Sequence, residues 1–295
     1  MKTIFYIFLF LFLNVSVAGS YSSRPKVIFW GFDKIFLSEW NDHTVTLQPF
    51  WEGIVKNIIT TSVNGHSLCV LGIESDSSES TFSTFLVDLT TKEFKKIPIE
   101  QQVYNTELSP KGNYIAFLAC NPSAKVNGNY VFDIGIYDVA KHTSQILLRG
   151  KAARNTSLAW HPDGNSLTFH SINSMIANID IADGSKDTVM FKGEMPAWSP
   201  DGKRIAYCLN NSEVHLYDYI RKSSKRIYKR YFWQSAIEGR LYWSPDGRYV
   251  SFNVASGIHG KSLKYIVLDV ESRKSFTIYE GSYWGGPWLG AMSGK

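Results

Sequence analysis

The sequence predicts an all-β chain folded as a six-bladed β-propeller, closed into a ring by pairing of its N- and C-terminal strands. Three observations predict it. The segment Trp-Ser-Pro-Asp-Gly-basic-x-apolar-small-aromatic stands twice almost unchanged, at 198–207 and 243–252, with weaker copies at 108–117 and 160–169. The turn glycines Gly112, Gly164, Gly202 and Gly247, with Gly65 of a degenerate copy at 62–70, lie 47, 52, 38 and 45 residues apart, a period typical of four-stranded blades. Between them, β-branched and aromatic residues alternate with polar ones, and Pro and Gly recur too often for long helices.

Each element follows from that unit. In the motif, Pro sets the first turn angle, Asp accepts local backbone hydrogen bonds and Gly takes the positive-φ position of a tight hairpin. The copy at 108–117 carries Lys111 in place of Asp, so its turn is expected to lack that acceptor. Trp160, Trp198 and Trp243 end the strand before the turn, where packing between blades accounts for them. Further strands are expected at Asp133–Asp138, Ile176–Ile181, Glu213–Tyr219 and Lys264–Leu268, and outer ones such as Ser144–Leu148 and Ser275–Tyr279. Val27–Trp30, Lys34–Ser38 and Val45–Leu47 supply three strands that lack a first strand, and Tyr283–Leu289 is a first strand with nothing after it. Joined, they make the sixth blade and remove two exposed sheet edges.

The chain opens on Lys2, the apolar run Ile4–Leu13 and the small residues Ser16 and Ala18, which together read as a secretory signal peptide cut after Ala18. The expected organisation is a leader over 1–18 and a single propeller domain over 19–295, exported to the periplasm or the extracellular space. The apolar run is too short to span a bilayer comfortably, and no other segment is long enough, so no membrane span is expected after cleavage. Formal net charge is +5, or +4 without Lys2, and the basic residues read as scattered, with no Lys/Arg-rich block and no nucleic-acid module. No nucleic-acid partner is expected. Cys69, Cys120 and Cys208 read as buried free thiols in strands, with a Cys69–Cys120 disulfide as the alternative.

A search for chemistry assigns no catalytic residue, metal or cofactor. The seven histidines are dispersed and none forms a metal-ligand pair; His161 fills a Ser position of the repeat, and His170 and His215 fall in strands. Asp163, Asp201 and Asp246 recur on different blades, where the turn explains them better than paired acid/base chemistry does. The acidic loop 74–79 lacks the spacing of a calcium loop. Asn155-Thr-Ser157 and Asn210-Asn-Ser212 match glycosylation sequons.

The remaining signal lies in the loops entering each blade, at 48–53, 99–104, 149–155, 190–195, 230–240 and 280–287, on the face opposite the Pro-Asp-Gly turns. They mix aromatic residues with arginine and lysine, a composition suited to recognising a peptide, a protein segment or a carbohydrate. Trp51, Tyr104, Arg154, Trp233, Arg240 and Trp284 are the candidate partner-binding residues.

The segment Trp198-Ser-Pro-Asp-Gly-Lys-Arg-Ile-Ala-Tyr207 resembles the repeat of the TolB-like propellers, and of the propellers in the dipeptidyl-peptidase and prolyl-oligopeptidase families. The resemblance covers most of the chain after the leader and implies a propeller whose repeats build blades and perform no chemistry. Two departures stand out. Strands begin soon after the leader, where TolB carries an α/β domain, and the Gly-x-Ser-x-Gly elbow of the peptidases is absent. The resemblance implies a protein or peptide partner at the cell envelope, with no cofactor; carbohydrate is the other ligand class. The alternative activity is that of a propeller lyase or hydrolase on a polysaccharide or glycoconjugate, its residues drawn from several blades.

Overall fold

The computed structural model describes residues 26–31, 33–41, 44–52, 55–64, 66–74, 82–126, 128–182, 187–230, 236–256 and 262–289. The leader, Gly65, most of the acidic loop and Trp233 lie outside them. In chain order the strands are β1 (Lys26–Trp30), β2 (Lys34–Asn41) and β3 (Thr44–Glu52); β4 (Val55–Val63), β5 (Ser67–Glu74), β6 (Ser83–Asp88) and β7 (Phe94–Ile97); β8 (Val103–Leu108), β9 (Tyr114–Val126), β10 (Asn129–Asp138) and β11 (Thr143–Ala152). They continue with β12 (Leu158–Trp160), β13 (Ser166–His170), β14 (Met175–Asp180) and β15 (Asp187–Lys192), then β16 (Glu194–Trp198), β17 (Arg204–Leu209), β18 (Glu213–Asp218) and β19 (Ser223–Lys229). Last come β20 (Ile237–Trp243), β21 (Tyr249–Ser256), β22 (Ser262–Asp269), β23 (Ser275–Gly281) and the final β24 (Trp284–Leu289).

These form six four-stranded antiparallel sheets, five of them consecutive (β4–β7, β8–β11, β12–β15, β16–β19, β20–β23) and called the first to fifth blades below. The sixth, the closing blade, has the order β24-β1-β2-β3, with Lys26 opposite Leu289 and Trp30 opposite Trp284. The ring closes as the sequence predicts. Each innermost strand (β24, β4, β8, β12, β16, β20) touches the innermost strands of the blades on either side. Antiparallel order places the Pro-Asp-Gly turns on one face, the exit face, and the connections entering each blade on the other.

The hydrophobic core is divided among the interfaces between blades. Among the described residues six buried clusters occur, and each draws its buried residues from two adjacent blades; one joins Val27, Phe29 and Trp288 of the closing blade to Tyr265 and Val267 of the fifth. The middle of each sheet is buried on both faces, so stretches of β9, β10, β13 and β17 are nearly continuously apolar, whereas outer strands such as β7 and β19 are polar and exposed. The repeat tryptophans seal these interfaces. The indole N–H of Trp160 donates to the Glu107 carbonyl at 3.0 Å, that of Trp198 to Thr168 Oγ1 at 2.8 Å, and that of Trp243 to the Ala197 carbonyl at 3.0 Å, in each case on the preceding blade.

The hairpin turns repeat one geometry. The amide of each of Gly112, Gly164, Gly202 and Gly247 donates to a carbonyl three residues back at 2.9 Å, and all four glycines have positive φ. Asp201 and Asp246 accept the hydroxyls of Ser199 and Ser244 at 2.6 and 2.5 Å, and Asp163 meets the His161 ring at 2.9 Å. In the turn with Lys111, Asn113 Oδ1 takes the Ser109 hydroxyl at 2.9 Å, which replaces the part of the aspartate's role that does not involve the backbone.

Candidate functional site

The connections into the blades are shorter than the sequence predicts, because strands extend into them. Trp51 belongs to β3, Tyr104 to β8, Arg240 to β20 and Trp284 opens β24. Ladder pairing, with its backbone hydrogen bonds, claims these residues even though their side chains vary freely. The innermost strands are irregular at this end. The register shifts between Val103 and Asn105 in β8 and between Glu238 and Tyr242 in β20, with Gly239 at φ 79° inside the second shift. Such bulges insert an unpaired residue and re-aim its neighbours. Here they direct side chains into the channel on the ring axis.

Arg240 shows the result. β20 and β8 lie three places apart in a ring of six, diametrically opposed. The Arg240 guanidinium crosses between them. Its Nη2 donates to the Thr106 carbonyl at 2.9 Å and to Asn105 Oδ1, and its Nη1 is paired with Glu107 Oε2. Alternation along β8 sends Asn105 and Glu107 toward the channel and Thr106 toward the neighbouring blade, where its hydroxyl lies 3.7 Å from Cys69 Sγ. The Glu107 side chain is mostly buried, with about a fifth (22%) of it exposed. That enclosure lifts its carboxyl to about 7, despite the opposing pull of the Arg240 guanidinium. Burial likewise raises the phenol of Tyr242, two residues from Arg240.

Nearer the mouth, Tyr104 is half-buried, edge-on to Phe132 at 5.2 Å and to Phe82 at 6.3 Å. Arg154, exposed in the connection before β12, lies over its ring at 5.7 Å. Asn105 also ties this side to the third blade, its amide donating to the Thr156 carbonyl at 2.8 Å. Across the ring Trp284 packs against Gly239, where an added Cβ would lie 3.3 Å from the indole. Three of the six candidate residues (Tyr104, Arg240, Trp284) lie on innermost strands, and Arg154 in the connection leading into another. Trp51 stands apart on the outermost strand of the closing blade, paired with Ile35. Trp233 lies outside the described residues.

Sequence reasoning missed Glu107 and Asn105, whose role depends on a partner 133 and 135 positions away. The structure also sets His170 apart from an ordinary strand histidine. The Ser157 amide donates to His170 Nδ1 at 3.4 Å, so the ring proton sits on Nε2, which is buried with no hydrogen-bond partner among the described residues. Burial pushes His170 down to about 4, so it is neutral. Close by in sequence, the Ser174 hydroxyl donates to Glu194 Oε1 at 2.6 Å. Among the described residues no three of His, Cys, Asp and Glu converge as a metal site would require. The three cysteines are free; Cys69 and Cys208 are buried, and burial pushes both thiols up to about 12.

The shape of the ring recurs in solved structures. A chain of a nidogen/laminin complex superposes with a TM-score of 0.63 at 13% identity, over 90% of this chain and 97% of that one. An oligogalacturonate lyase in complex with manganese gives 0.52 at 12% identity over 84% of this chain and 73% of its own, and an oligogalacturonate lyase from Vibrio parahaemolyticus gives 0.55 at 12% over 85% and 78%. No protein-family model and no curated protein sequence matches the chain. At such identities the likeness is one of fold: the chain is a six-bladed β-propeller.

Proposed function

We propose that this propeller is an exported, TolB-like binding module, released by cleavage after Ala18 to the periplasm or the extracellular space, that holds a protein or peptide segment on the face where the connections enter the blades. The single domain would then span 19–295. One observation carries the reading: the exposed Arg154 guanidinium lies over the half-buried ring of Tyr104 on the adjacent blade, an aromatic–arginine pair on the face where the connections enter the blades. Aromatic and arginine side chains dominate the anchoring of protein partners. Below them, Arg240 and Glu107 satisfy each other across the channel.

The test is retention of partners from envelope or secreted material by wild type and by a Tyr104→Ala, Arg154→Ala variant of verified fold. A protein held by wild type and lost by the variant supports the reading. Equal retention by both moves the site away from this mouth. The second reading, a lyase or hydrolase on a polysaccharide or glycoconjugate, draws on the fold shared with two oligogalacturonate lyases and on the neutral His170 ring, whose buried Nε2 has no hydrogen-bond partner among the described residues. Cleavage of polygalacturonate that disappears in His170→Ala would favour it.

A further inference from the structure

We infer that the outer edge of the fourth blade is a docking strip for an acidic polysaccharide, separate from the entry face and independent of what binds there. Residues 221–230, Arg-Lys-Ser-Ser-Lys-Arg-Ile-Tyr-Lys-Arg, are a basic block after all. Serines and apolar residues interrupt the cations in sequence, but the fold sets five of them along one edge: Arg221 and Lys222 in the turn, and Lys225, Arg226 and Lys229 on β19. All five are exposed. Among the described residues, two carboxylates pair with these five cations. Asp218 pairs with Arg221 at 3.3 Å, and Glu213 with Arg226 at 3.0 Å and Lys229 at 3.5 Å. A cationic excess remains on one rim.

The blades themselves supply the control. An edge strand needs a lysine or two to discourage pairing with another sheet. Counted with the turn before it, β19 carries five cations, whereas the other outermost strands counted the same way carry none in β3, two each in β15 and β23, and three each in β7 and β11. Protection of the edge accounts for the two or three cations of the other blades, not for five. The occupant is an extended polyanion, because an extended strand spaces its side chains evenly over a long line. Its class follows from what the strip lacks. Single-stranded nucleic acids are held by aromatic rings on which bases stack. On this strip Tyr228 is buried edge-on against Phe252 at 4.9 Å, and Lys222 covers the Tyr219 ring at 4.1 Å. Charge without a stacking surface fits a sulfated or carboxylated sugar chain.

The test uses the intact protein on immobilised dextran sulfate, with neutral dextran and poly(U) as comparison ligands, at about 0.15 M and about 0.5 M salt. Wild type should bind dextran sulfate at the lower salt, release it at the higher, and ignore neutral dextran. A Lys222→Gln, Lys225→Gln, Lys229→Gln variant should bind about tenfold or more weakly. A charge-matched Lys92→Gln, Lys95→Gln, Lys96→Gln variant, altered on the first blade, should lose less than about threefold, because screening confines the effect to nearby charges. Equal losses in the two variants would reduce the effect to net charge and overturn the inference. So would absence of wild-type binding at the lower salt, or tighter binding of poly(U) than of dextran sulfate.

Discussion

Above about pH 7 Arg240 and Glu107 face each other across the ring as opposite charges, and each then depends on the other to remain there. Removing one partner of a buried pair costs about 3–5 kcal/mol, mostly because the survivor keeps an uncompensated charge. The cost should depend on pH. In Arg240→Ala, Glu107 can escape by taking up a proton, so the loss of stability should be larger at pH 8 than at pH 5.5 when followed by urea unfolding. Glu107 gives the wild type its own signature. Its carboxyl lies near 7 in the folded protein against 4.5 ordinarily, so the folded state holds more protons between those values. Its contribution is therefore fully present below about pH 4.5 and is lost as pH rises through 7, by about 3 kcal/mol at most. His170 works the other way: its lowered value makes its contribution fully present above 6.5 and lost as pH falls toward 4. Subtracting the profile of Glu107→Gln from that of wild type cancels the histidine. The difference should decline from pH 5 to pH 8; a flat difference would remove Glu107 as a titrating group.

Among the elements, the hairpin turn was the most legible, since its Pro, Asp and Gly each have a local cause. A second recurring turn was legible too, and went unread. Asp88, Asp138, Asp180, Asp218 and Asp269 end the third strand of the five consecutive blades, each accepting from the amide two residues on. The bulges that aim Arg240 were not legible beyond Gly239, because a register shift belongs to two strands at once. The turns allow a comparison of two causes. Gly164 and Gly202 share the left-handed conformation, with φ of 78° and 68°. An added Cβ at Gly164 meets nothing within 4 Å, whereas at Gly202 it comes 2.9 Å from His161 Nε2 of the preceding blade. That ring cannot readily yield, being held to Asp163 and set edge-on against Trp198 at 4.5 Å. Gly164→Ala should therefore cost only the conformational term, about 1–2 kcal/mol, and Gly202→Ala about 1 kcal/mol or more beyond it. Equal losses in denaturant unfolding would show that the interlocking of adjacent turns adds nothing.

At the scale of the whole molecule, blade number and closure were readable because they rest on repeat counting, and a count survives divergence of individual residues. The channel pair was not, because nothing local marks two strands as diametrically opposed. Counting also places the stability of the ring on its seam. β24 serves two interfaces at once: Trp288 packs into the cluster shared with the fifth blade, and Leu289 into the cluster shared with the first. The Trp288 indole donates to Ser251 Oγ at 2.7 Å, and the Asn253 side chain both donates to the Gly285 carbonyl and accepts from its amide, at 2.9 and 3.0 Å. Deleting residues 284–295 removes these contacts and leaves β1 as an open edge beside two uncovered faces. Trp288→Ala is the milder form of the same lesion and should cost about 3–5 kcal/mol, a fall in Tm of about 10 °C for a chain of this size. The deletion should cost more, and its damage should spread. Because each blade is buried only by its neighbours, hydrogen exchange should accelerate in the fifth and first blades as well as in the closing one. A truncated protein that melts with wild type would show that the ring does not depend on its closing strand. Exchange confined to the closing blade would show that the other five stand as an open arc.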